Sequence, residues 1–354
     1  MAQQVSLVRQ LGVPSAAALV VSNMVGSAIF TTTGFMAGDL GDFSFIMSLW
    51  LVGAFVALAG AFCYAELGVN FPSSGGEYVY LTQAYGPVWG FMTGWISLIA
   101  GFSAPIAANA LSFSNYLGHF FPQLRDGHEF LAFGPEGFVI RIGWGQVVAM
   151  LVILAMTAVN FFDLKVVARL QNGFTAFKIS VLLAFIVAGF LAGTGDWSHL
   201  SQTTQRTSSL PIWNQFAVSL CFVYLGYSGW NAATYIAEEV KNPKRTLPLA
   251  LVAGTLAVTA LYLVLNVLYV YALPLSVLKA PVIAVGSTAA AALFGPAVAG
   301  AFAVLMALAL FATVNAMVTI GPRVYYAMAQ NKAFVALAGE LSPRPRHAPA
   351  RPPA

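Results

Sequence analysis

Charged side chains are scarce in this chain: Asp, Glu, Lys and Arg make up 8% of its 354 residues, and hydrophobic residues make up 59%. An average soluble domain carries about a quarter of charged residues, so this composition excludes an ordinary soluble protein. Sixteen Lys and Arg against twelve Asp and Glu leave a net charge of only +4. Because no basic cluster is interleaved with aromatic residues, we predict no nucleic-acid partner.

Residues that carry out chemistry are equally few. The two cysteines, Cys63 and Cys221, lie in apolar runs, so neither a disulfide framework nor a cysteine-based metal site is predicted. The sequence shows no Ser-His-Asp arrangement, no histidine pair at metal-ligand spacing and no phosphate-binding loop. We therefore predict neither an enzyme nor a cofactor. A cleavable signal peptide is not predicted either, because the first apolar stretch is too long for one.

Long uncharged runs dominate what is present. Because a helix that crosses the hydrocarbon core needs about 20 apolar residues, we predict an all-α, multi-pass membrane protein with about eight spans. The uncharged stretches cover residues 10–38, 43–65, 78–124, 142–162, 179–195, 207–237, 246–278 and 280–322. Two of them are long enough for two crossings. We interpret 78–86 as a surface segment before one span at 88–118, and 280–295 as an external loop before the eighth span.

Loop charge gives the predicted orientation. With the N-terminus inside, the cytoplasmic segments carry most of the Lys and Arg residues, as the positive-inside rule expects. Both termini are therefore predicted to be cytoplasmic, with the chain in the plasma (cell inner) membrane. We predict a single transmembrane domain over 1–340. The Pro- and Arg-rich tail at 341–354 is predicted to be disordered.

Two spans are interrupted by glycine and small polar residues near their middle. The first span contains Gly-Ser-Ala-Ile-Phe at 26–30, and the sixth contains Gly-Tyr-Ser-Gly-Trp-Asn at 226–231. Unpaired backbone groups are costly in hydrocarbon, so such interruptions are tolerated mainly where protein or a water-filled cavity supplies partners. Interrupted helices at matching positions in two halves indicate the substrate site of an inverted-repeat transporter. A small-residue face for helix packing is the alternative interpretation.

Flanking motifs favour the transporter interpretation. They include Tyr-Ala-Glu-Leu at 64–67, Pro-Ser-Ser-Gly-Gly-Glu-Tyr at 72–78 and the acidic-then-basic run at 238–248. With the two interruptions, they resemble the amino acid-polyamine-organocation (APC) superfamily of transporters. Ser-Gly-Trp-Asn at 228–231, Thr-Ala-Phe-Lys at 175–178 and Thr-Val-Asn at 313–315 most resemble its L-type amino-acid transporter branch. The resemblance covers about residues 10–340 in matching order.

This resemblance implies a LeuT-type fold of two five-helix inverted repeats, in which unwound parts of spans one and six hold an amino acid. The first repeat is expected at about 10–195 and a partial second repeat at about 207–340. The family usually has twelve spans, whereas this chain turns into its Pro- and Arg-rich tail after eight. We therefore expect an incomplete fold with little or no uptake by the chain alone, and a partner chain that supplies the missing helices. A truncated non-transporting remnant or assembly subunit is the alternative to a permease.

The resemblance also implies a set of substrate-binding residues at the two interruptions. They are Gly26, Ser27, Ala28, Leu225, Gly226, Tyr227, Ser228, Trp230 and Asn231. The first three would present N–H groups and a hydroxyl to the substrate carboxylate, and the carbonyls at 225, 226 and 228 would accept from its ammonium group. The family usually has glycine at the position of Ala28, so the methyl group of Ala28 is expected to narrow the approach of the substrate carboxylate. The remaining residues would shape the side-chain subsite, although a tryptophan such as Trp230 is more often a packed or interfacial aromatic than a ligand contact.

Lys178 is the one basic residue deep in an apolar segment, where it needs a polar partner. In the family, a lysine at this position takes the place of a sodium ion between spans one and eight. Thr313 and Asn315 are its expected neighbours, so we predict sodium-independent transport by proton symport or exchange. The alternatives are a Lys178 side chain that reaches the cytoplasmic surface and span-eight residues that serve only helix packing.

Acidic residues are missing from the middle of every predicted span. A polyamine or a cationic amino acid would require a buried carboxylate, so a neutral amino acid is the predicted substrate. The glutamates at the predicted cytoplasmic ends are either an inner gate or solvated helix ends, with Lys241, Arg245 and Arg323 as the candidate partners. These glutamates are Glu66, Glu77, Glu238 and Glu239.

Overall fold

A computed structural model describes residues 7, 9–125, 127–135, 139–162, 164–279 and 285–340 of the chain. This part is predominantly helical, and its strands β1 (Glu129–Phe133) and β2 (Ile140–Gly143) form a small antiparallel hairpin. The prediction of an all-α polytopic protein is confirmed. The tail predicted at 341–354 lies outside the described residues.

Short connections join most of the α-helices. In chain order the helices are α1 (Val13–Met24), α2 (Thr32–Leu40), α3 (Phe43–Asn70), α4 (Glu77–Tyr85), α5 (Pro87–Ile96), α6 (Ala104–Leu117), α7 (Trp144–Val159), α8 (Leu164–Ala192), α9 (Ile212–Tyr227), α10 (Pro243–Ala272), α11 (Leu275–Leu278), α12 (Val285–Phe294) and α13 (Pro296–Gln330). The longest connections join α6 to α7, where the hairpin lies, and α8 to α9. A π-helical stretch, Ser97–Ser103, joins α5 to α6. Short 3-10 helices follow α1, at Ala28–Phe30, and α9, at Ala232–Glu239.

Five continuous helical segments of the described chain are long and apolar enough to cross a membrane. They are α3, the α5–α6 unit, α8, α10 and α13. These segments match predicted spans two, three, five, seven and eight. Predicted spans one and six are each divided into two helices, and predicted span four is the 16-residue α7. The total of eight crossings stays a prediction.

One predicted loop is instead partly helical. Residues 280–295 were expected to be an external loop, but 285–294 form α12. Val285 and Ala289 of this helix are fully buried, and α12 packs against α13, α10 and α8. A run of small apolar residues therefore folds as a helix here because neighbouring helices cover one of its faces. The predicted surface segment 78–86 is helical as far as Tyr85, within α4, and its Tyr78 and Tyr80 are buried.

Aromatic side chains fill the centre of the bundle, where α3, α9 and α10 meet. The rings of Trp50, Tyr227 and Tyr262 are fully buried and lie 5.2 to 5.6 Å apart, centroid to centroid. Tilted and edge-to-face pairs at this spacing stabilise beyond the area that they bury. Large apolar side chains such as Phe55 and Leu191 point outward instead. An outer surface of this kind suits a hydrocarbon environment.

The segment before α1 is joined to the end of the second 3-10 helix by backbone hydrogen bonds. The N–H groups of Gln10 and Leu11 donate to the Glu239 carbonyl at 2.8 and 2.9 Å. In return, the Lys241 N–H donates to the Leu11 carbonyl at 2.8 Å. Leu11 and Val240 thus form a short parallel bridge. This contact holds the start of the first interrupted span against the end of the second.

Candidate functional site

The first predicted interruption is present. Helix α1 ends at Met24 because Val25 leaves the helical region, with φ −77° and ψ 82°. Residues 25–27 form a bend, and the chain resumes as the 3-10 helix Ala28–Phe30 before α2. Gly26, Ser27 and Ala28 therefore lie at a break in the helix, as the sequence predicted.

The second interruption is also present, at Ser228–Asn231. Helix α9 ends at Tyr227, and Gly229 has a φ of +105°, a conformation that L side chains rarely adopt. A β-carbon at Gly229 would lie 2.8 Å from Cβ of Asn23 on α1. Glycine at this position therefore allows both the turn and the close approach of the two breaks.

Tyr262 of α10 connects the two breaks directly. Its hydroxyl lies 2.6 Å from the carbonyl oxygen of Met24 and 3.0 Å from that of Gly226. The space between the breaks is narrow, since a β-carbon at Gly226 would lie 3.6 Å from Cβ of Ala28. The predicted residues of the first and second break thus come together. Tyr262 was not predicted, because nothing in its local sequence distinguishes it from a core tyrosine.

Carbonyl groups at the end of α9 already have partners within the protein. The Leu225 carbonyl accepts the Ser228 N–H at 3.1 Å, and the Gly226 carbonyl accepts from Tyr262. The Leu225 side chain is 65% exposed, so only its backbone faces the break. A carbonyl oxygen has two lone pairs, which leaves each group able to accept from a ligand as well.

Lys178 is fully buried and does not reach the surface. Its ammonium group donates to the Val25 carbonyl at 2.8 Å, to the Thr313 hydroxyl at 2.7 Å and to the Ser22 carbonyl at 3.2 Å. The carbonyl end of a helix carries a partial negative charge that favours a cation. Lys178 thus caps the end of α1, with Thr313 beside it as expected.

Asn315 belongs to a neighbouring polar cluster. Its amide nitrogen donates to Oε1 of Gln171 at 2.6 Å, and its oxygen accepts from Asn160 at 3.1 Å. Gln171 and Ser22 both donate to the Ala312 carbonyl. The side-chain hydrogen bonds of Asn315 in the described chain therefore join it to Gln171 and Asn160 rather than to Lys178. Gln171 was missed, since a single glutamine near a helix end carries no distinctive signal.

The last two predicted site residues point towards α3 and α4. Trp230 packs edge-to-face on Tyr64, with ring centroids 4.8 Å apart, so it occupies the position of a packed aromatic. The Asn231 amide donates to Glu77 and, at 3.1 Å, to the Tyr235 hydroxyl. Burial raises the pKa of Glu77, which begins α4, while hydrogen bonds from Tyr235, Asn231 and Tyr64 oppose that rise.

The other glutamates have different surroundings. Glu239 is 1% exposed, and its two carboxylate oxygens accept from Arg323 at 3.1 and 3.3 Å. Of the cations considered as inner-gate partners, Arg323 therefore makes an ion pair. Glu238 accepts the Ser74 N–H, and Glu66 accepts from Asn70. In the described ranges, no three His, Cys, Asp or Glu side chains are grouped closely enough to hold a metal ion.

Comparison with known proteins identifies relatives along most of the chain. The chain is 31% identical to the human "Large neutral amino acids transporter small subunit 2" over 336 residues, which is 92% of this chain and 58% of that protein. It is 28% identical to the "Serine/threonine exchanger SteT" of Bacillus subtilis, over 92% of this chain and 69% of that protein. It is 32% identical to the mouse "b(0,+)-type amino acid transporter 1", over 75% of this chain and 51% of that protein.

The chain spans 58% of the length of the human relative and 51% of the length of the mouse relative. A family model described as "Amino acid permease" matches residues 11–351. The resemblance to APC transporters is thereby confirmed, and the family is one of transporters rather than enzymes. With the two breaks in the places that the motifs predicted, and with this match over nearly its whole length, the chain belongs to the amino acid permease family.

Proposed function

We propose that this protein binds a neutral amino acid between its two helix breaks and carries it across the membrane. The observation that supports this most directly is the Tyr262 hydroxyl, which contacts the Met24 and Gly226 carbonyls and so joins the two breaks. Broken helices expose N–H groups at one end and C=O groups at the other. The carboxylate of an amino-acid zwitterion can accept from the N–H groups, and its ammonium group can donate to the C=O groups.

The two kinds of backbone group lie on different segments. The segment 26–28 supplies N–H groups, of which that of Gly26 already donates to the Met24 carbonyl at 2.9 Å. The end of α9 with Gly226 supplies carbonyls. In this proposal the carboxylate binds at the first segment and the ammonium group at the second. Tyr227, Ser228, Trp230 and Asn231 then line the side-chain subsite or support it from behind.

A neutral substrate is favoured because Glu77, a carboxylate that contacts the second break, already accepts hydrogen bonds from the protein. Glu77 reaches Asn231, but Asn231, Tyr235 and Tyr64 all donate to it. A cationic side chain needs a carboxylate that can turn towards it, since an unpaired charge is costly to bury. The donors on Glu77 hold it in place against that role.

Sodium independence follows from the position of Lys178. Its ammonium group takes the Val25 and Ser22 carbonyls at the end of α1 and the Thr313 hydroxyl on α13. A second cation there would lack both ligands and room. We therefore propose proton symport or exchange, in a plasma membrane with both termini cytoplasmic.

The relatives' names support parts of this proposal. One relative is named for large neutral amino acids and another for serine/threonine exchange, which favours neutral substrates and an exchange mechanism. The words "small subunit" in the first name support a partner chain for this protein as well. Such a partner, lipid and the amino acid are the proposed binding partners.

Binding to the purified protein tests the proposal. In a scintillation proximity assay, radiolabelled neutral amino acids should bind saturably and equally with and without sodium, and arginine or putrescine should compete poorly. The variant Gly226→Val should abolish the signal. Preferential binding of putrescine or arginine would contradict the substrate assignment. Counterflow into vesicles then separates the two alternatives. A transporter should show counterflow, whereas an assembly subunit should show binding without it.

A further inference from the structure

One backbone donor of the first break is already occupied by a side chain from another helix. The amide oxygen of Asn109, on α6, accepts the Ser27 N–H at 3.0 Å. Asn109 is 5% exposed, so this contact lies inside the protein. The Ser27 N–H is also a group that we propose for the substrate carboxylate. Asn109 therefore stands where that carboxylate is expected to bind.

The orientation of the Asn109 amide is fixed by its own helix. Its nitrogen donates to the Pro105 carbonyl at 2.8 Å, which turns its oxygen towards the break. An amide oxygen and a carboxylate oxygen both accept an N–H, but the bond to the carboxylate is stronger because it is charge-assisted. The amide is thus a neutral and weaker substitute for a carboxylate.

Gly26 shows how closely the amide approaches the break. A β-carbon at Gly26 would lie 2.9 Å from the Asn109 oxygen, closer than such atoms normally come. The amide oxygen therefore covers two consecutive residues, Gly26 and Ser27. Any other residue at position 26 would push Asn109 away from the Ser27 N–H.

We propose that Asn109 is a resident competitor for the carboxylate subsite and so sets the affinity for substrate. This inference rests on the proposed function. In the empty protein the amide satisfies the Ser27 N–H, which would otherwise lack a partner. The substrate carboxylate displaces it because it makes the stronger bond. The contribution of this N–H group to the measured affinity is then the difference between the two bonds.

Two substitutions test the competition. Asn109→Ala removes the competitor, so the Kd for a neutral amino acid should fall by about tenfold, the change expected for one hydrogen bond. Asn109→Asp keeps the shape but adds a negative charge. It should weaken amino-acid binding by at least about tenfold, since like charges repel. Binding of the matching amino alcohol, which has no carboxylate, should not weaken.

Asn172→Asp is the matched control. It places the same charge on α8, where Asn172 contacts Ser15 at 3.0 Å. Ser15 precedes Met24, the end of α1, by roughly 13 Å of helix, at about 1.5 Å per residue. This variant should leave the Kd of both ligands unchanged. Thermal unfolding without ligand and hydrogen exchange of residues 25–31 show whether each variant is folded and whether the Ser27 N–H loses protection in Asn109→Ala.

The outcomes separate this inference from the proposed function. If the unmodified protein binds amino acids and Asn109→Ala binds them no more tightly, Asn109 is only a packing contact and the inference is wrong, while the proposed function stands. If neither protein binds any amino acid, both are wrong. Should Asn109→Ala fail to fold, Asn109→Asp decides. Equal losses for the amino acid and the amino alcohol overturn the inference, and a selective loss supports it.

Discussion

The ammonium nitrogen of Lys178 lies 2.8 Å from the carbonyl oxygen of Val25, the residue at which α1 loses its helical conformation. The same nitrogen contacts Thr313 on α13. One side chain therefore joins three helices at the first break. We expect the conformation of the break to depend on this side chain, which makes Lys178 the first position to test.

Lys178→Ala should lower both stability and substrate binding. Hydrogen bonds to a charged group contribute about 1.5–3 kcal/mol each, and the Val25 carbonyl keeps only the Thr313 hydroxyl after the change. We expect at least about a tenfold rise in Kd and a lower melting temperature. Arg169→Ala, at an exposed position of the same helix, is the control. An inert Lys178→Ala, or sodium-stimulated binding, would contradict the assignment.

Two substitutions at Gly226 should show whether the size of the side chain there controls substrate binding, or whether any residue other than glycine disrupts it. A β-carbon there lies at ordinary contact distance from Ala28, 3.6 Å, and tightly, at 3.2 Å, against the Trp50 ring. Gly226→Ala should therefore bind within about threefold of the unmodified protein, since overpacking by one methyl is mild. Gly226→Val should abolish binding. Equal binding by both variants would remove Gly226 from the site.

Ser27 offers a comparison between a side chain and a backbone donor. Its φ of −64° suits proline, so Ser27→Pro removes the N–H without forcing the backbone. Ser27→Ala removes only the hydroxyl. We expect Ser27→Ala to raise Kd by less than about threefold and Ser27→Pro to raise it more. The reason is that proline removes the difference between a charge-assisted bond to the substrate and a neutral bond to Asn109. The reverse order would mean that the hydroxyl binds the substrate.

Glu77 should make stability depend on pH. Burial raises its pKa above the ordinary 4.5. Its stabilising contribution is therefore complete below pH 4.5 and is lost as the pH rises through the raised pKa. Glu77→Gln keeps a neutral acceptor for Asn231. The melting temperature of this variant, relative to that of the unmodified protein, should therefore increase as the pH is raised. Glu66→Gln, at an exposed position of α3, should show no such trend.

The ion pair of Arg323 with Glu239 should stabilise the packing of α13 against the second 3-10 helix. Arg323→Ala leaves a carboxylate that is 1% exposed without its cation. Because Arg323 itself is 22% exposed, we expect a loss of about 1–3 kcal/mol in the free energy of unfolding, below the full value for a buried pair. Arg323→Lys should be intermediate, since lysine lacks the two-pronged geometry. A similar loss in Arg245→Ala, at an exposed position, would argue for a general charge effect.

Much of the site could be predicted from the sequence because its backbone requirements select particular residues. Glycines at 26 and 229 mark the two breaks, where a side chain would meet Asn109 or Asn23. Lys178 was recognisable because a lysine within an apolar run must find polar partners. In each case a single residue type departs from what a membrane helix otherwise contains.

The partners of these residues could not be predicted in the same way. Asn109 contacts Ser27 across 82 positions of sequence, and Tyr262 contacts Met24 across 238. Each lies on a helix whose composition is ordinary, so its meaning comes only from the neighbours that folding brings to it. Asn109 lies within a predicted span, but an isolated asparagine there does not indicate which group it contacts.

The bridge between Leu11 and Val240 has a consequence for how the two interrupted spans move. Its three bonds, from Gln10 and Leu11 to the Glu239 carbonyl and from Lys241 to the Leu11 carbonyl, use backbone atoms alone. Side-chain replacement leaves such bonds intact, whereas proline removes the donor. The start of α1 and the end of the second 3-10 helix are thereby linked, and separating them requires all three bonds to break.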